Sequence, residues 1–215
     1  RIHEDFMEAV KKNEDYLLHY KREATGEVIE RSVNARELFR RIAETNWDYA
    51  EPGALFWDRI EGWNLLSNTK EFSYAGVNPC AEEPLPAGGS CLLGSINLSE
   101  FVQDPFTDHA QFDFEGLKHC VDVAVRALNE VLEEGLPLHP LEEQRESVAK
   151  WRQIGLGIMG LADCLIKLGL TYGEEDAVEM CDNIGSAMAD SAIAASAMLA
   201  KEKGPFAACN TEEIT

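Results

Sequence analysis

The spacing of hydrophobic residues predicts a helix, a hairpin and a second helix in the first part of the chain. Apolar residues recur at helical spacing over residues 3–13. Residues 16–20 and 28–33 are rich in β-branched and aromatic side chains, and a turn-forming segment separates them. Asn34 is a suitable N-cap for a further helix over residues 35–49. The chain is therefore predicted to begin with two helices around one antiparallel pair of strands.

The pattern changes twice beyond this point. Short strands are predicted over residues 54–57 and 92–98, with turn-rich sequence between them. From residue 113 the spacing becomes strongly helical, and helices are predicted over residues 114–134, 141–150, 153–168 and 174–203. Helices predominate over strands, so the predicted class is a helix-rich α/β fold.

The net charge of the chain disfavours some classes of binding partner. The 215 residues carry a formal net charge of −20. Binding to a nucleic-acid backbone or to an anionic membrane needs clustered Lys and Arg, so both are disfavoured. A single nucleotide is compatible with this charge, because helix N-termini and backbone N–H groups can hold a phosphate. The chain has no apolar run long enough to cross a bilayer and no signal-peptide pattern at its start, so we expect a cytoplasmic protein.

The six cysteines are scattered, without a CxxC pair or the spacing of a zinc site. Cys120, Cys164 and Cys181 lie in helical apolar patterns and are predicted to be buried packing thiols. A metal or iron–sulfur cluster is a hypothesis that the lack of clustered Cys and His ligands disfavours. Free thiols of this kind fit a reducing compartment.

The candidate chemistry lies in the segment Asn78-Pro79-Cys80-Ala81-Glu82. In an extended strand or loop tip, alternate side chains point the same way, so Asn78, Cys80 and Glu82 are predicted to share one side. An amide, an oxidisable thiol and a general base would then surround one small substrate. Cys91 follows after a Gly/Pro-rich spacer, and two thiols indicate redox chemistry, so Cys80 and Cys91 are expected to lie close together near a concave surface. The alternative is a β-turn that carries an inert thiol.

Residues 155–160 satisfy the pattern G-x-G-x-x-G. A dinucleotide site requires a buried strand immediately before the glycines and a second strand with an acidic residue about twenty residues later. Residues 148–153 do not read as a buried strand, and a single helix is predicted to follow them. We therefore predict that these glycines permit close packing and do not bind a dinucleotide.

Several blocks of the sequence resemble one family. Residues 78–82 and 89–98 closely resemble the active-site loop and following strand of the large chain of ribonucleotide reductases. Residues 51–60 and 152–163 resemble the same family in the same order. The blocks span nearly the whole chain, which makes the resemblance far more specific than one short motif.

The resemblance implies a partial ten-stranded α/β barrel with a finger loop in its centre and a cysteine at the tip of that loop. The family's large chain is several times longer than this sequence. Residues 1–215 are then expected to form a single partial domain from the middle of the catalytic barrel. Within it, the finger loop would span about residues 76–90 and a helical half about residues 113–204.

The resemblance also implies a role for each candidate residue. Cys80 would become a transient thiyl radical and abstract hydrogen from C3′ of the substrate ribose. Glu82 would accept the proton of the 3′-hydroxyl, and Asn78 would bind the ribose hydroxyls. Cys91 would be half of the dithiol that supplies reducing electrons as water leaves C2′. The other half lies upstream in family members, where this chain has no thiol.

Cofactor and partners follow from the same resemblance. Pro79, between the Asn and the Cys, is more similar to the adenosylcobalamin-dependent class than to the class that uses a di-iron radical subunit. The complete enzyme would take ribonucleoside di- or triphosphates, respond to dNTP effectors, accept electrons from a thioredoxin-type reductant and form a homodimer. The isolated fragment is expected to be inactive.

A function of another class is a non-catalytic nucleotide-binding or regulatory relative with the same barrel architecture. Such a protein would have no need of two thiols, an amide and a carboxylate in this arrangement. The presence of Asn78, Cys80, Glu82 and Cys91 together therefore favours the enzyme.

Overall fold

The structure is a computed structural model that describes residues 1–90 and 92–209. The chain divides into two compact units, residues 1–70 and the residues from 71 onward. The expectation that residues 1–215 form a single partial domain of a larger barrel stays a prediction.

The first unit packs two helices beside an antiparallel hairpin. Its small core consists of Phe6, Ala9 and Ala35. The side chain of Asn34 accepts a hydrogen bond from the backbone N–H of Glu37, which confirms the predicted N-cap. The elements of this unit are α1 (Glu4–Lys12), β1 (Asp15–Lys21), β2 (Val28–Asn34), α2 (Ala35–Tyr49) and α3 (Trp57–Gly62).

The predicted strand over residues 54–57 is wrong. Only Phe56 makes a bridge, to Ile2, and Trp57 begins α3. Trp57 is nevertheless buried, with 2% of the residue exposed. A short apolar run indicates burial more reliably than it indicates the type of element that is buried.

The second unit contains the remaining elements. A long helix follows several short strands, and three further helices follow it. They are β3 (Gly76–Val77), β4 (Pro84–Leu85), β5 (Leu93–Asn97), β6 (Val102–Gln103), β7 (Gln111–Phe112), α4 (Phe114–Gly135), α5 (Glu142–Trp151), β8 (Gly155–Met159), α6 (Leu161–Leu168) and α7 (Glu175–Lys203). Short 3₁₀ turns lie at Leu98–Phe101 and Leu136–Leu138.

Helix α4 supplies the centre of this unit's core. Its buried residues recur every three or four positions and so lie on one face: Leu117, Val121, Val125, Leu128 and Leu132. This helix packs along α7, and Arg126 joins the two through a pair of hydrogen bonds to Glu202, at 2.8 and 3.1 Å. Ile184 of α7 and Cys164 of α6 belong to the same core.

The predicted helix over residues 153–168 is also wrong in its first half. Gly155–Met159 is a strand that pairs in parallel with β5, from Leu93 opposite Gly155 to Asn97 opposite Met159. Gly160 follows with a φ of 69°, and α6 begins after it. Gly155 and Gly157 therefore lie within a strand, whereas a dinucleotide motif places its glycines between a strand and the following helix, where of the three only Gly160 lies.

The described strands form four two-stranded sheets, of which only the β5–β8 pair is parallel. Helices α4 and α5 connect β5 to β8, which is the crossover that a parallel pair requires. The fold is thus helix-rich α/β, as predicted. A complete ten-stranded barrel stays a prediction.

Candidate active-site loop

The Asn-Pro-Cys segment is the tip of a small antiparallel hairpin. Strands β3 and β4 pair Gly76 with Leu85 and Val77 with Pro84. Between them the N–H of Ala81 donates to the carbonyl of Asn78 at 3.0 Å, and Ala81 has a φ of 68°. Residues 78–81 therefore form a β-turn. The prediction of extended backbone with alternating side chains is wrong here, because Pro79 stands at the second position of a turn, which its fixed φ also suits.

The side chain of Asn78 holds this turn closed. Its Oδ1 accepts a hydrogen bond from the backbone N–H of Glu83 at 2.9 Å, and the backbone N–H of Asn78 donates to the carbonyl of Glu83 at 3.2 Å. The amide oxygen is thus used by the loop itself. The Nδ2 group remains as the part of the side chain with which Asn78 could bind a substrate.

Cys80 and Glu82 lie at the tip of the hairpin. Both residues are exposed, and Cys80 is a free thiol. Cys91 lies outside the described residues, so the predicted closeness of Cys80 and Cys91 stays a prediction. The structure thus places Asn78, Cys80 and Glu82 in the same short connection between β3 and β4.

The base of the hairpin is anchored on α5. Phe72, which is buried, contacts Trp151 edge to face with ring centres 4.8 Å apart. Glu71 pairs with Lys150 at 2.5 Å, and that ion pair lowers the pKa of the Glu71 carboxyl. Where the returning strand leaves the hairpin, a Cβ on Gly88 would lie 2.8 Å from the carbonyl oxygen of Glu143, so a larger residue would not fit there.

A cleft of about 490 Å³ adjoins the hairpin. Its walls are the ascending strand with Asn78 and Pro79, the returning segment from Leu85 to Ser90, and Gln144 of α5. A volume of this size is in the range that small-molecule ligands occupy. Of the candidate residues, Asn78 lines this cleft, whereas Cys80 and Glu82 are not among its lining residues.

The other described thiols serve packing to different degrees. Cys164 on α6 is fully buried, and burial raises its pKa to about 11. The prediction of a buried packing thiol is confirmed for Cys164. Cys120 and Cys181 are only half-buried, on α4 and α7. A thiol with so high a pKa is inert as a nucleophile, which sets Cys164 apart from the exposed Cys80.

Sequence reasoning missed one residue of the loop, Glu83. Its backbone closes the turn with Asn78, and its Oε1 occupies the space that a Cβ on Gly155 would take. The signal in the sequence was a second carboxylate directly after Glu82, together with a glycine at the beginning of β8.

No group of three or more His, Cys, Asp or Glu side chains in residues 1–90 and 92–209 could hold a metal ion. Over the same residues, no helix combines the length and the apolar character that crossing a membrane requires.

Comparison with known proteins identifies the family. The family model for the ribonucleotide reductase barrel domain matches residues 1–215. A vitamin B12-dependent ribonucleoside-diphosphate reductase of Thermoplasma acidophilum is 35% identical over 96% of this chain, which spans 26% of that protein. A protein of the same name from Mycobacterium tuberculosis is 35% identical over 94% of this chain and 28% of its own length.

A solved structure has the same fold. The class Id ribonucleotide reductase alpha subunit of Actinobacillus ureae matches 99% of this chain and 37% of its own, with a TM-score of 0.77 and 20% sequence identity. This chain therefore spans between 26% and 37% of the length of these three proteins. The match of the family model over the whole chain shows that it belongs to the ribonucleotide reductase family, within the barrel domain.

Proposed function

We propose that this chain is part of the catalytic barrel of a ribonucleotide reductase that converts ribonucleotides to 2′-deoxyribonucleotides by thiyl-radical chemistry. The observation that carries the proposal is the free, exposed thiol of Cys80 at the tip of a hairpin that also carries Asn78 and Glu82. Membership of the family supports it. The hairpin corresponds to the finger loop that the sequence predicted over residues 76–90.

Cys80 begins and ends the reaction. The S–H bond of Cys80 breaks homolytically and its hydrogen atom leaves, so that the sulfur carries the radical. The thiyl then takes the hydrogen atom from C3′ of the ribose and regenerates the S–H bond. After the 2′-hydroxyl has been replaced, the same hydrogen atom returns to C3′.

The remaining groups move protons and electrons. Glu82 accepts the proton of the 3′-hydroxyl while the 2′-hydroxyl takes up a proton and leaves as water. Cys91 and a second thiol outside this chain give two electrons and two protons and become a disulfide. The sum is one ribonucleotide and two thiols converted to one deoxyribonucleotide, one disulfide and one water. The Nδ2 group of Asn78 orients the ribose hydroxyls.

The cofactor we propose is adenosylcobalamin. Both relatives named above are described as vitamin B12-dependent, and Pro79 points the same way. When bound, adenosylcobalamin would supply the radical that accepts the hydrogen atom of the Cys80 thiol. A di-iron radical subunit is the alternative source.

The substrate and partners belong to the complete protein. Ribonucleoside diphosphates are the favoured substrate, because both relatives are named diphosphate reductases. We further propose dNTP effectors, a thioredoxin-type reductant and a homodimer. Since this chain spans about a quarter of the length of those relatives, we expect no turnover from it alone.

The test is reduction of CDP and CTP by the full-length parent chain with a dithiol, with and without adenosylcobalamin. We expect activity that needs the cofactor and that falls below detection in Cys80→Ser, since an alcohol O–H bond is too strong to form the radical. Activity only with a di-iron partner would replace the proposed cofactor. Absence of activity under both conditions would contradict the enzyme and favour the regulatory relative.

A further inference from the structure

The glycines at residues 155 and 157 differ in what surrounds them. A Cβ on Gly155 would overlap Oε1 of Glu83 and lie 2.6 Å from Cδ2 of Leu93. Gly157 lies two residues further along β8, and a Cβ there would meet no atom nearer than 3.8 Å. A side chain at residue 155 would therefore compete for space with the carboxylate of Glu83, which lies nearest to that position.

Glu83 thereby connects two parts of the second unit. Its backbone N–H and carbonyl are both bonded to Asn78, which closes the turn that carries Cys80. Its side chain lies against the first residue of β8, and β8 pairs with β5. One half-buried residue thus links the tip of the hairpin to the parallel strands.

The hairpin needs such a link. Its two strands have two residues each, and a hairpin of this size is not stable by itself. The contacts of Phe72 with Trp151 and of Glu71 with Lys150 fix only its base. Without a second point of attachment, the tip could tilt about that base.

We propose that Glu83, seated against Gly155, is a positioning residue that fixes the loop tip, and with it Cys80 and Glu82, relative to the β5–β8 pair. This inference rests on the proposed function where it concerns catalysis. Hydrogen abstraction requires the sulfur close to C3′, and a displacement of about 1 Å at a reacting group can lower a rate about a hundredfold. The first glycine of the G-x-G-x-x-G segment is thus assigned a role in the active-site loop.

The test compares Gly155→Ala with Gly157→Ala in the full-length chain. The atoms that the new methyl group would meet at residue 155 belong to the ends of two flexible side chains, Glu83 and Leu93, so we expect the variant to fold. Glu83 must then leave its seat. We expect amide hydrogen exchange at Glu83 to become at least about tenfold faster in Gly155→Ala and to stay unchanged in Gly157→Ala.

The catalytic readout uses the same two variants. In Gly155→Ala we expect kcat to fall about tenfold or more with little change in KM, since substrate contacts remain. With 3′-deuterated substrate, the isotope effect on kcat should rise, because hydrogen abstraction becomes the slower step. A loss of folded protein would lower the total rate without changing this isotope effect.

Glu83→Ala completes a double-mutant cycle with Gly155→Ala, and it is the variant to measure if Gly155→Ala does not fold. It should show the same faster exchange and lower kcat, and the double variant should be no worse than either single one. Unchanged exchange at residue 83 in Gly155→Ala, or additive losses in the double variant, would overturn the proposal. If the parent chain reduces no nucleotide but Gly155→Ala still shows faster exchange at residue 83, the contact between Glu83 and Gly155 is retained and only the proposed function is rejected.

Discussion

At the scale of single residues, the two ends of the Asn78 amide have different roles in the proposal. Its oxygen accepts the hydrogen bond from the backbone N–H of Glu83 and so closes the turn, and in the proposed function its nitrogen binds the ribose. An Asp at this position would keep the acceptor and lose the donors. The structural and the proposed catalytic roles of this residue can therefore be separated by substitution.

We predict that Asn78→Asp keeps the turn and loses turnover, whereas Asn78→Ala loses both. The alanine variant forfeits one hydrogen bond, which is worth about 1 kcal/mol of local stability. Hydrogen exchange at the Glu83 amide measures the turn, and CDP reduction by the full-length chain measures catalysis. Equal turnover in Asn78→Asp and the parent would show that the amide nitrogen does not contribute to catalysis.

The candidate residues could be selected from the sequence because their order and spacing are visible in it. The backbone conformation that holds them could not be predicted. Pro79 excludes a helix for the preceding residue, but it fits both an extended strand and the second position of a turn. The turn forms because Asn78 and Glu83 bond across it, and that pairing depends on β3 meeting β4.

At the scale of elements, the second unit depends on one face of α4. Val121 is fully buried on that face, while Val123, two residues later, is 50% exposed. The two positions share a helix and a residue type. They differ only in what the side chain contacts, so they form a matched pair.

We predict that Val121→Ala lowers the free energy of unfolding by about 2–3 kcal/mol, for two lost methyl groups and the resulting cavity. Val123→Ala should change it by less than about 0.5 kcal/mol, because little burial is lost and Ala favours helix. Urea unfolding of the 215-residue chain measures both. Similar losses in the two variants would mean that this face of α4 does not form the core.

Helix boundaries were predictable where local chemistry defines them, as at α2, where Asn34 caps the helix and Ala35 begins it. Strand β8 could not be predicted from the sequence, although apolar residues alternate with glycines from Ile154 to Ile158. The sequence on both sides is helical, and it favours a helix through this segment. Parallel pairing with β5, which lies far away in sequence, decides the structure of this segment.

At the scale of the whole molecule, the chain has a boundary between residues 70 and 71. The stretch around it is rich in turns, and Lys70 is exposed. Each unit has its own core. Exposed connecting segments of this kind are preferred sites of proteolysis.

We predict that brief trypsin treatment of the 215-residue chain cuts after Lys70 and yields products over residues 1–70 and 71–215. Mass spectrometry identifies them, and Lys70→Gln should suppress both products together. First cuts within α4 or α7 would show instead that the helical core opens before the connection does.

The distance in sequence between β5 and β8 has a consequence for biosynthesis. Gly155 follows its partner Leu93 by 62 residues (155 − 93). At a synthesis rate of about 5–20 residues per second, β5 leaves the ribosome roughly 3–12 s before its partner exists. Helix α4 emerges in that interval, and its Leu128 lies 3.5 Å from the position of a Cβ on Gly94. We therefore expect the nascent chain to shield one face of β5 early, while the edge of that strand stays open to chaperones until β8 arrives.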